Sequence, residues 1–266
     1  MMYYNEPIEV AVLDTGLNNH YGHIPTCDNS YSFTSHQYKI GEDKLNHGTA
    51  VSSVLHQYVT GNVIGNVSNL NWEAVAANKI SESPNYCQSI KKINFNSVEA
   101  GLNSFNQAYV QIKASKTRYV NISSSGFATN SAEKKHLKDL LDLGVTIVVA
   151  AGNEGSDIDV YKVFPASYDE RIIVVGTYER NLSLNNFYKN SEIAKTRYSK
   201  HSNYGKVVDV WGPGESVYAH KNTGILDVFT GTSFAAPAYT GKLIKEEIER
   251  KERWKLKLLN KNLREL

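Results

Sequence analysis

Cysteine is scarce in this chain, with Cys27 and Cys87 the only two among 266 residues. Two are too few for a disulfide framework, and they lack metal-ligand spacing. The expectation is a pair of reduced, inert thiols, as in a cytoplasmic protein. Methionine is equally rare, both copies standing at positions 1 and 2. No charge of one sign dominates: 29 Lys and Arg against 27 Asp and Glu give a net charge of +2. No overall field therefore draws the chain to nucleic acid or to an anionic membrane surface. No run approaches the ~20 apolar residues of a membrane-spanning helix, and Met1–Pro7 has no basic stretch leading into an apolar one. What remains is an ordinary globular composition, 41% hydrophobic and 21% charged, with material for a sizeable core.

Apolar runs rich in β-branched residues alternate with segments of helical period. Ile8–Leu13, Tyr119–Ser123, Val145–Ala151, Arg171–Gly176 and Val207–Trp211 read as buried strands, Trp72–Ala77 as another, and Tyr31–Phe33 as a short one. Val51, Val54 and Leu55 predict a helix after His47. Val98, Leu102, Phe105, Tyr109 and Ile112 predict one over 97–114, and Leu137, Leu140 and Leu141 one over 132–143, stopped by Gly144. Such alternation predicts an α/β fold in three layers, a mostly parallel sheet with helices on both faces. No linker or repeat divides it, so residues 1–266 form one expected domain. Residues 242–266 are a charged helical extension, packing Ile244, Ile248, Trp254, Leu258 and Leu259 or docking a partner.

Chemistry concentrates where these elements meet. Ser233 lies in Gly231-Thr232-Ser233-Phe234-Ala235-Ala236-Pro237, just ahead of an Ala-rich run, which puts a hydroxyl at a helix N-terminus where developing negative charge is favoured. Asp14 ends the first strand, His47 opens a helix, and Asn153 follows the strand Val145–Ala151. His20 and His23, with no carboxylate or cysteine cluster beside them, read as structural or solvent-facing. The order Asp, His, Ser is the one subtilisin uses to build its triad. With Val12-Leu13-Asp14-Thr15-Gly16, His47-Gly48-Thr49, Ala151-Gly152-Asn153-Glu154-Gly155 and the Ser233 segment in order, 33, 106 and 80 residues apart, the sequence resembles the subtilisin-like serine proteases, or subtilases.

That resemblance implies a serine endopeptidase in which Ser233 is the nucleophile, His47 the general base and Asp14 its orienter. Asn153 would serve the oxyanion, and no metal or organic cofactor is required. It implies a peptide or protein substrate, not nucleic acid or membrane, received between Ser123-Ser124-Ser125-Gly126 and Ala150-Ala151-Gly152. Val163 would take the place of a glycine near the floor of the first pocket and make it shallower. The glycine-rich edge strand of the family is not recognisable in 86–96, and 61–66 only faintly echoes its calcium-binding loop, so no calcium site is expected. A short intracellular subtilase without a pro-domain, processing a restricted substrate, is the expected type. The rivals are a catalytically silent subtilase-fold binding protein and an actin-like ATPase, the latter resting on Asp14-Thr15-Gly16 alone.

Overall fold

The computed structural model describes residues 6–20, 22–34, 41–63, 85–180 and 186–264. The predicted strand Trp72–Ala77 and residues 64–66 of the faint calcium-loop match lie outside them. In chain order the elements are β1 (Ile8–Asp14), β2 (Tyr31–Ser32), α1 (His47–Thr60), β3 (Tyr86–Lys92), α2 (Val98–Lys113), β4 (Tyr119–Ile122), α3 (Ser131–Asp142) and β5 (Thr146–Ala150). There follow β6 (Ile173–Thr177), β7 (Tyr188–Lys189), β8 (Val210–Gly212), β9 (Val217–His220), β10 (Leu226–Phe229) and α4 (Thr232–Arg264).

An eight-stranded sheet runs β2-β3-β1-β4-β5-β6-β8-β7. Every pairing in it is parallel except β7 with β8, and β9 and β10 form a separate antiparallel hairpin. The period of two explains why β1 reads as a continuous apolar run from Val10 to Leu13: Val10 and Val12 point into one core with Val51, Val54, Leu55 and Ile244. Ala11 and Leu13 point into the other with Tyr109, Ile112, Leu137 and Leu140. Both faces are covered, as parallel sheets require. β1 sits between β3 and β4, so the chain leaves it first to one side and then to the other. Open α/β sheets keep their ligand crevice at such a switch point, outside the carboxyl ends of the strands.

Two expectations need correction. Cys27 and Cys87 form a disulfide instead of two free thiols. Cys27 N donates to Gln88 O at 3.0 Å and Gln88 N to Pro25 O at 2.8 Å, so residues 25–27 run beside β3. This pairing brings the two Cα atoms to 5.2 Å, within the span of a disulfide. A separation of 60 residues concealed it, and the free thiols that motivated a cytoplasmic expectation disappear with it. Secondly, the extension packs only at its start. Ile244 is fully buried and Ile248 packs on the same cluster, but Trp254, Leu258 and Leu259 are 46%, 39% and 59% exposed. α4 is one helix of 33 residues, about 50 Å long at the usual rise, and past Ile248 its large apolar side chains are not part of the buried core clusters among the described residues.

Candidate active site

Asp14 closes β1 at the switch point and is 2% exposed. His47 is the first residue of α1, and the turn at Thr15-Gly16 meets the start of that helix almost backbone to backbone. A Cβ on Gly48 would lie 2.2 Å from Gly16 O, so only glycine permits the approach. Through it, His47 Nδ1 reaches Asp14 Oδ1 at 2.7 Å. A carboxylate only accepts, so Nδ1 carries the proton and Nε2 keeps its lone pair. Burial pulls the His47 pKa down, but the opposing pull of Asp14, by charge and hydrogen bond, and of Asp43, by charge, leaves it raised.

Asp43 carries no sequence signal of its own. It is 1% exposed and accepts from Thr15 Oγ1 at 2.7 Å, Leu45 N at 3.2 Å and Thr49 N at 2.8 Å. The start of α1 is thus capped by Asp43, since the cap residue Asn46 is left-handed and makes no side-chain cap.

Ser233 is the second residue of α4, and its Oγ donates to the Ser123 carbonyl at 3.0 Å. Asn153 is fixed by its oxygen, which accepts Thr232 N at 2.8 Å and Thr232 Oγ1 at 3.1 Å. The Asn153 amide nitrogen is thereby turned away from Thr232. Behind it, buried Asn203 fastens the 151–156 turn, donating to Ala151 O at 2.9 Å and accepting Ser156 N at 2.9 Å. Gly152 has φ 98°, and a Cβ there would sit 2.4 Å from Asn203 Nδ2, so the turn needs glycine twice over.

Asp14, His47, Asn153 and Ser233 all line one cleft of about 410 Å³, with Ser123, Ser124 and Ser125. The other expected cleft residues are placed differently. Gly126 lines a neighbouring pocket. Ala151 and Gly152 are buried and do not line the cleft, where Ala150 appears instead. Their backbone groups are engaged inside the fold, Ala151 N with Val175 O and Gly152 N with Thr232 Oγ1. Val163 packs in the core, not on the cleft wall. Phe95, Leu45 and Thr232, which sequence reasoning did not single out as site residues, do line the cleft. His23, expected to be structural or solvent-facing, packs against His56 and His220 at ring-centroid distances of 5.7 and 5.0 Å.

The subtilase family profile matches residues 6–254. The chain belongs to the subtilase family. Among curated subtilases, subtilisin-like protease 2 of Plasmodium falciparum (isolate 3D7) is 29% identical over 261 residues, covering 90% of this chain and 17% of that protein. Subtilisin DY of Bacillus licheniformis is 24% identical, covering 90% of this chain and 76% of its own. The major intracellular serine protease of Bacillus subtilis (strain 168) is 27% identical, covering 89% and 67%. The chain therefore spans less than a fifth of the Plasmodium protein and two thirds or more of the two Bacillus ones. Among solved subtilase-like structures, a lanthipeptide protease superposes with TM-score 0.68 at 17% identity, covering 94% of this chain and 76% of the other. An epidermin leader peptide processing serine protease from Staphylococcus aureus gives 0.66 at 18%, covering 94% and 70%. Likeness at that identity establishes the subtilase fold.

Proposed function

We propose that this chain is a serine endopeptidase acting on a restricted peptide or protein substrate through Asp14, His47 and Ser233. The observation that carries the reading is the 2.7 Å contact of His47 Nδ1 with buried Asp14, in the cleft that also holds Ser233 and Asn153. In the reaction, Ser233 Oγ leaves its bond to the Ser123 carbonyl and attacks the scissile carbonyl carbon, giving its proton to His47 Nε2. Asp14 stabilises the imidazolium so formed. The Asn153 amide and the Ser233 N–H, at the positive end of α4, take the oxyanion. Collapse breaks the C–N bond, His47 protonates the leaving amine, and water then releases the acyl group by the same steps reversed.

Peptide entry is supported by Ser124 and Ser125, whose backbone makes no hydrogen bond among the described residues, so an extended segment can pair there. The restricted substrate is suggested by two neighbours, one named a lanthipeptide protease and the other an epidermin leader peptide processing serine protease. Labelling with a fluorophosphonate probe tests the reading. Prompt labelling, abolished in Ser233→Ala, is expected; well-folded protein that does not label overturns it.

A further inference from the structure

The residue ahead of His47 is held in an uncommon backbone conformation. Asn46 has φ 63° and ψ −6°, in the left-handed region, which asparagine enters more readily than most side chains but still at a cost. Its side chain does not cap α1. Asn46 Oδ1 instead accepts Asn222 N at 3.1 Å, and Asn222 Nδ2 donates to Asp43 O at 2.7 Å. One residue, distant in sequence, thus grips both ends of the turn 43–46.

Asn222 is delivered there by the β9–β10 hairpin. β9 climbs α1 from its end towards its start: Gln57 Nε2 donates to Tyr218 O at 2.9 Å, and His220 N to Ser53 Oγ at 3.2 Å. The chain then reverses over 221–225, with Gly224 N donating to Lys221 O at 2.9 Å and Lys221 N to Ile225 O at 2.8 Å. β10 returns to Phe229, which leads directly into the Ser233 segment. There the Phe229 ring meets that of Phe234 at 5.2 Å between centroids, and Phe234 meets the His47 ring at 5.7 Å. The hairpin therefore bears on the base twice, through the backbone before it at the tip and through its ring at the root.

We propose that Asn222 is a positioning residue for the general base, clamping the turn 43–46 so that Asn46 stays left-handed and α1 presents His47 to Asp14 and Ser233. The inference rests on the peptidase reading above. His47 follows Asn46 directly, so any change in the Asn46 backbone angles re-aims the first turn of α1. The 2.7 Å contact of His47 with Asp14 is lost over a displacement of about 1 Å. Asn222 is not among the residues that line the cleft, so its effect falls on the rate of the chemical step and not on binding.

The test is the rate at which a fluorophosphonate probe labels the whole chain, resolved into a limiting rate and a half-saturating probe concentration, with the labelling endpoint counting folded sites. Asn222→Ala is expected to lower the limiting rate about three- to tenfold, the scale of one lost hydrogen bond, and to leave the half-saturating concentration unchanged. Asp14 helps hold the His47 pKa up, so loosening that pair also moves the acid limb of the labelling rate to lower pH, which a loss of folded protein does not do. Asn46→Ala should slow labelling further. Asn46→Gly, which adopts φ 63° without a Cβ penalty, should restore most of what Asn46→Ala loses. A limiting rate or an acid limb unchanged in Asn222→Ala, a loss confined to the half-saturating concentration, or Asn46→Gly as slow as Asn46→Ala overturns the clamp and leaves the peptidase standing. Wild type that is well folded and does not label overturns both.

Discussion

The Thr15 hydroxyl donates to Asp43 at 2.7 Å while the Thr15 N–H donates to Asp14 at 2.7 Å, so a single residue ties together two buried carboxylates behind His47. Asp43 helps hold the His47 pKa up. The acid limb of a kcat/KM profile reports the base of the free enzyme. Asp43→Asn removes a charge that favours imidazolium, and the limb is expected to move to lower pH. Asp43→Ala strands the Thr49 N–H and the Thr15 hydroxyl, and denaturant unfolding should show a loss of about 1–3 kcal/mol.

Asn153 is oriented by Thr232 and not by chance of rotamer. Asn153→Ala should lower kcat by about 10²–10³, the magnitude measured for losing such a donor in subtilisin, with KM little changed. Thr232→Val keeps the backbone bond and removes the hydroxyl one, so a smaller loss is expected from the same steady-state assay.

The Cys27–Cys87 bond closes a loop of 60 residues that includes α1 and therefore His47. Thiol titration of the unfolded, unreduced protein is expected to find no free thiol. Cys27→Ser/Cys87→Ser should cost about 2–4 kcal/mol in denaturant unfolding, because the unfolded chain regains the loop's freedom.

Three histidines from different parts of the chain set an acid limit. Burial and mutual repulsion depress the pKa of His56 and of His220 to about 4, and burial lowers that of His23. His56 Nδ1 meets the Tyr86 hydroxyl at 2.5 Å and His220 Nδ1 the Ser53 hydroxyl at 3.1 Å. Below about pH 6.5 the unfolded chain binds protons that the folded one resists, so stability is complete above that value and falls towards pH 4. A Tm series over that window should drop steeply for the wild type and less steeply for His23→Gln, which removes a repelling neighbour from both.

Local chemistry made the site largely legible in advance. Asp14, His47, Asn153 and Ser233 each adjoin glycines or other small residues because a turn or a close approach demands them, and their order along the chain carried the rest. Asp43 and Asn203 gave no comparable signal. Each acts through partners distant in sequence, such as Thr15 and Ala151, so nothing in its own neighbourhood marks it.

The sequence by itself determined the layered α/β architecture, since the periods of two and 3.6 record which faces are buried, and it determined the family through motifs with local geometric causes. Tertiary structure alone decided that Cys27 and Cys87 pair, because the pairing depends on residues 25–27 lying beside β3. It also decided that Ala151 and Gly152 engage their backbones inside the fold and that, among the described residues, the large apolar side chains of α4 past Ile248 stay out of the buried core. Whether a backbone edge or an apolar side chain is free depends on what the rest of the chain brings to it.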